Sequence, residues 1–211
     1  RLAMERLRRS GLDAEDFASL RLQQLAPQEV LDLGEGFLAL PAVKIPYHDP
    51  LGAPLSPRPC WPQFFRLRYL ALGRGNLFLD QSARPPRYAQ PAGTGACAYF
   101  PHCGSVDWAA VVADPTLDLI ITEGELKAAK ASREGFPAIG LGGVNSFRAV
   151  KLGSDFLPEL EAVSRSRRDV AQLIGLDIRD YDPAPAAAFV RAFGVTYPQI
   201  YDPRGTQLVK Y

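Results

Sequence analysis

Cysteine is scarce: Cys60, Cys97 and Cys103 are the only three in 211 residues. Three cysteines cannot build a disulfide scaffold, and the expected setting is a reducing, cytoplasmic compartment. No apolar run approaches the roughly 20 residues that a membrane-spanning helix needs, and the start, Arg-Leu-Ala-Met, has no signal-peptide apolar region. An initiator methionine is missing at position 1, so a piece of a longer chain is expected. Net charge is nearly absent too, at +1, so no global field recruits polyanions. Histidine occurs only twice, as His48 and His102, and neither has a recognisable nucleophile partner for triad chemistry. What is plentiful is apolar and turn-forming: 47% hydrophobic residues, 19 prolines and 18 glycines, enough for a packed core with many loops.

The even total hides a local bias. Residues 41–104 carry Lys44, Arg58, Arg66, Arg68, Arg74, Arg84 and Arg87 against Asp49 and Asp80, a local +5. Tyr47, Trp61, Phe64, Phe65, Tyr69, Tyr88 and Tyr99 fall in the same stretch. Cations that follow phosphates, interleaved with rings that stack on bases, are what a single-strand binding surface uses. A β-rich core with a solvated basic edge gives the same composition.

Periodicity organises the chain into an α+β region followed by an α/β region. Asp13 and Asp16 read as a capping arrangement before Phe17, Leu20 and Leu22. Pro27 can start a helix that Gly34 closes. Residues 42–47 alternate as a strand, and 48–52 read as a turn. Along 64–70, Arg66 and Arg68 fall on one face and Phe65, Leu67 and Tyr69 on the other. Residues 73–96 are rich in glycine and proline, and 96–100 read as a short strand. From about 105, strand and helix alternate. Residues 117–122 read as a buried strand, 125–134 as a helix ended by Gly135, and 137–141 as a second strand. Helices are expected over 157–163 and 183–193, with a third strand over 171–178. Such alternation predicts a parallel sheet with flanking helices. The expected division is 1–104 helical, β-rich and basic; 105–170 α/β; and 171–211 strand–helix–strand.

The segment with most chemical content is Leu119-Ile-Ile-Thr-Glu-Gly-Glu-Leu-Lys-Ala-Ala-Lys. An apolar strand stops at Glu123, glycine follows, and a helix begins. Ligands of open α/β sheets bind beyond the carboxyl ends of strands. A carboxylate there can hold Mg²⁺ or move a proton, and Lys127, one turn later, can meet a phosphate. Equally, Glu123 and Glu125 can simply be first-turn acids facing the helix dipole. Gly140, Gly142 and Gly143 can offer N–H groups to a phosphate or permit tight strand–helix packing. Cys97, His102 and Cys103 with Cys60 have zinc-binding chemistry, set against buried or loop cysteines.

Residues 121–128, with Gly-Phe-Pro-Ala-Ile-Gly-Leu-Gly-Gly-Val-Asn-Ser-Phe-Arg at 135–148, resemble the Toprim-like domain of plasmid and phage primase–helicase proteins. Arg8–Leu12, Val43–Gly52, Phe65–Arg68, Arg87–Pro91 and Tyr99–Pro101 are similar to that family's N-terminal part, so the likeness covers about 5–168. It implies an open, mostly parallel Toprim-like sheet with flanking helices after an N-terminal α+β region. It further implies Mg²⁺-dependent phosphoryl or nucleotidyl transfer on DNA, single-stranded at the contact, and a helicase domain or partner. Glu123 would be the general acid/base and Lys127 its basic companion. Lys44, Arg66, Arg68 and Tyr88 would contact nucleic acid. The family's second acidic motif is Asp-x-Asp at a strand end, where carboxylates two apart share one cation. Here the strand runs to Asp177, position 179 is arginine, and Asp180 and Asp182 carry the spacing three residues later. With Glu123, these are the candidate metal ligands. A non-catalytic single-strand binding module of the same ancestry is the alternative.

Residues 173–180, 187–198 and 201–205 instead resemble the middle of a thioredoxin-like or peroxiredoxin-type domain. That chemistry needs an upstream Cys-x-x-Cys or peroxidatic cysteine, and none of the three is so placed. A truncated redox protein is the third expectation. The two resemblances together leave a fusion, a recombined or truncated frame, or an artificial sequence open.

Overall fold

The computed structural model describes residues 2–56, 63–70, 86–114, 116–143, 146, 157, 175–178 and 199–202. The described residues mix helices and strands in two compact units, residues 1–167 and 168–211.

The first unit opens with two short helices, α1 (Leu2–Arg8) and α2 (Ala14–Ser19). The capping arrangement is present. Asp13 accepts from the N–H groups of Glu15 and Asp16, while Asp16 accepts from the Asp13 N–H at 2.8 Å. Strand β1 (Gln23–Leu25) leads into α3 (Pro27–Leu31), whose proline occupies the first turn, where no N–H is needed. Strands β2 (Ala42–Pro46), β3 (Phe65–Tyr69) and β4 (Tyr88–Ala89) follow. The four strands form an antiparallel sheet in the order β1-β2-β3-β4, with Ile45 opposite Arg66 and Val43 opposite Arg68.

The period-two alternation of β3 is realised. Phe65, Leu67 and Tyr69 enter an apolar cluster with Val30, Phe37 and Leu40. The opposite face carries Val43 and Ile45, which join Leu7, Leu12, Tyr47, Phe64, Tyr99, Leu126 and Ala129 in the largest cluster. That cluster draws on both sides of residue 104, so the basic β-rich region and the α/β region share a core.

The α/β region begins with α4 (Trp108–Ala113), capped by Asp107. Strand β5 (Ile120–Glu123), helix α5 (Glu125–Arg133) and strand β6 (Ala138–Leu141) then form a right-sized strand–helix–strand unit with β5 and β6 parallel. β6 is buried throughout and takes an antiparallel bridge from Tyr99 on its other side, through two 2.9 Å hydrogen bonds with Gly140. Residues 96–100 thus contribute one bridge rather than a strand. The expected burial of residues 117–122 is not met. β5 starts only at Ile120, and Ile120 and Ile121 remain 36% and 44% exposed. The physical reason is that burial of a strand depends on what covers its two faces, and among the described residues β5 pairs with β6 alone.

The second unit contains β7 (Gly175–Ile178) and β8 (Gln199–Asp202), paired in parallel. The helices expected over 157–163 and 183–193 lie outside the described residues, apart from Leu157, which is buried beside Phe100, Trp108 and Leu141. Among the described residues no helix is long and apolar enough to cross a membrane.

Candidate functional site

Glu123 is the last residue of β5, opposite Leu141 at the matching end of β6, and its side chain is exposed. The chain turns into α5 through Gly124, whose φ of +92° belongs to the left-handed region that favours glycine. The Gly124 N–H donates to the Leu141 carbonyl at 2.7 Å, which pins the turn to the end of β6. Lys127, one turn into α5, is also exposed. The strand–turn–helix geometry read from the sequence is therefore present, with the acid and the base open to solvent beyond the parallel pair.

Glu125 departs from the first-turn reading. It is fully buried, and its Oε1 accepts from the Tyr47 hydroxyl at 2.8 Å and from Arg66 Nη1 at 2.6 Å. Burial, reinforced by the Glu125 charge, pushes the Tyr47 hydroxyl well above its ordinary pKa. Burial works against the Arg66 charge, but Glu125 and Tyr47 outweigh it and hold the guanidinium above its usual value. Sequence reasoning missed this pair. The available signal was an arginine inside the apolar run 64–70, which needs an acid if the strand is buried.

Of the expected nucleic-acid contacts, Arg66 faces Glu125 rather than solvent, and its guanidinium also stacks on the Tyr88 ring at 4.7 Å. Arg68 stacks on the same ring at 4.8 Å and donates to the Tyr88 hydroxyl. Lys44 lies on the other face of the sheet, 4.8 Å over the Phe65 ring, and burial lowers its pKa. Arg66, Arg68 and Tyr88 are thus brought together, and Lys44 is not.

Gly140, within β6, and Gly142, just after it, are closely packed. A Cβ on Gly140 would come within 3.2 Å of the Ala128 Cβ and the Glu125 Cα, and one on Gly142 within 2.6 Å of Arg66 Nη1. Asp177 belongs to β7 of the second unit, and Asp180, Asp182 and Cys60 lie outside the described residues. Among the described residues no three His, Cys, Asp or Glu side chains group as a metal site. Glu123 is therefore one hard oxygen ligand that belongs to no described group of three. Cys97 and Cys103 are buried, and Cys103 donates to the Ala129 carbonyl at 3.4 Å. Burial, with Asp16 nearby, pushes the Cys103 thiol up to about 11, so at neutral pH it is a thiol and a poor nucleophile.

Residues 107–178 match the family model of a domain of unknown function, DUF3854. The DUF3854 match begins at the cap of α4, includes β5, α5 and β6, and ends with β7, about a third of the chain. It contains Glu123, Lys127 and Asp177, and runs across residue 170. No curated protein and no solved structure matches the chain.

Proposed function

We propose that the chain is a Toprim-like nucleic-acid-processing domain of a mobile-element primase or helicase protein. Glu123 is its acid/base residue, and phosphoryl or nucleotidyl transfer on DNA is its reaction. The observation that carries this reading is the exposed Glu123 carboxylate at the carboxyl end of a parallel strand pair, on a glycine turn, with Lys127 one helical turn behind it. A carboxylate so placed can take the proton of an attacking hydroxyl or return one to a leaving oxygen. Lys127 offers a point charge to the phosphate being transferred. Glu125, buried on Arg66 and Tyr47, holds the first turn of α5 in place behind them. Glu123 would supply one oxygen ligand to a Mg²⁺ ion, and among the described residues no group of three ligands surrounds it.

The test is a primer-synthesis and strand-cleavage assay on the full chain with and without Mg²⁺. Glu123→Gln is expected to lose about 10²- to 10⁴-fold in turnover, the range of general acid/base contributions, with strand binding intact. Full activity in Glu123→Gln would overturn the catalytic reading.

The stacking of Arg66 and Arg68 on Tyr88 favours one alternative, a non-catalytic single-strand binding module. It predicts salt-sensitive binding that neither Mg²⁺ nor Glu123→Gln alters.

A further inference from the structure

A cavity of about 260 Å³ opens between α1 and the edge of the antiparallel sheet, lined by Arg6, Arg9, Arg68 and Arg87, with Glu5 and Leu2 at its margin. Four guanidinium groups face one carboxylate, and that carboxylate is already paired, Glu5 Oε1 lying 2.5 Å from Arg9. The Nε atoms of Arg6 and Arg68 are buried without a hydrogen-bond partner among the described residues. Burial, together with the neighbouring Arg68, Arg9 and Arg87 charges, holds Arg6 below its ordinary pKa even though Tyr88 acts in the other direction. Like charges crowded around a void, with donors left over, lower their free energy when an anion enters.

The scaffold fixes the donors. Ala3 and Leu7 anchor α1 in the main core, the Ala3 N–H donates to Gln24 Oε1 at 3.0 Å, and the Arg87 carbonyl accepts from the Tyr69 N–H at 3.0 Å. Arg68 is held by Tyr88 through one terminal nitrogen, and its buried Nε has no partner among the described residues. Guanidinium forks match the geometry of phosphate oxygens, which accept two parallel hydrogen bonds.

We propose that this arginine cavity is a phosphate-binding site, filled by the backbone phosphates of a nucleic-acid strand or by the phosphates of a nucleoside triphosphate. It uses none of Glu123, Gly124 or Lys127. Loss of the cavity is read in binding and loss of Glu123 in turnover, so either idea can fail alone.

The experiment measures anisotropy of a labelled oligothymidylate across a salt series, and calorimetry with ATP, on the full chain. Arg6→Gln and Arg87→Gln are each expected to weaken binding about tenfold and to lower the salt slope by about one. Arg87 is exposed, so its substitution leaves the fold intact. Arg8→Gln is the control: it removes the same charge from the same helix outside the cavity, and binding stays within about twofold. Arginine-dependent loss with the oligonucleotide identifies strand phosphates, and with ATP a nucleotide. Equal losses in Arg8→Gln and Arg6→Gln, or binding of neither probe, would overturn the site.

Discussion

Glu125 exposes nothing to water, and its two oxygens have unequal surroundings. Oε1 receives both Tyr47 and Arg66, whereas Oε2 is buried without a partner among the described residues. Two opposite charges in such a place are weak net stabilisers, but removing one strands the other. Glu125→Gln and Arg66→Met are each expected to destabilise the chain by about 3–5 kcal/mol, and the double variant by clearly less than the sum. Denaturant unfolding of the four proteins checks this, and additive losses would show that the pair does not act as a unit. The pair was only half legible in the sequence. Alternation along 64–70 identified the face that Arg66 occupies, but its partner lies 59 residues away, and only the packing of α5 on that face brings the two together.

Elements were more legible than contacts because their signals are local. The Asp13–Asp16 cap, the proline at the start of α3, the glycine after α5 and the alternation of β3 all act within a few residues, and each is found where the pattern placed it. Burial of β5 was not local. Its apolar composition fits a buried strand, but exposure depends on which elements cover its two faces. The same contrast governs glycines. Gly36 and Gly104 both have positive φ, at +89° and +68°. A Cβ on Gly36 would meet nothing within 4 Å, whereas one on Gly104 would lie 2.6 Å from the Ser132 carbonyl oxygen and 2.7 Å from the Arg133 Cα, at the end of α5. Backbone atoms cannot swing aside as a side-chain tip can. Gly36→Ala is therefore expected to cost about 1 kcal/mol through φ alone, and Gly104→Ala at least about 2 kcal/mol more. Equal thermal shifts for the two variants would show that the loop before α4 yields instead of straining.

Across the whole molecule, distant segments meet at His48. Its Nε2 accepts from Arg21 Nη1 and from Gln63 Nε2, both at 3.1 Å, and the His102 ring stands edge-on at 6.0 Å. An acceptor nitrogen requires the neutral ring. Burial, then Arg21 and His102, lower the His48 pKa against the opposing pull of Asp49. In the unfolded chain the same ring titrates near its ordinary value of about 6.5. Between that value and the depressed folded one, the unfolded state binds more protons, so stability falls as pH falls through this window and is complete above it. None of this was legible from spacing, because Arg21, His48 with Gln63, and His102 come from three separate connections, and even His48 and Gln63 stand 15 residues apart. The chain has only two histidines, so its behaviour near pH 6 can be assigned. The thermal midpoint is expected to drop as pH is lowered from about 7 to about 5. His48→Gln should flatten that slope, since a glutamine oxygen can accept from Arg21 without titrating, while His102→Gln should leave most of it. An unchanged slope in His48→Gln would mean that Arg21 and Gln63 do not hold this ring neutral in solution.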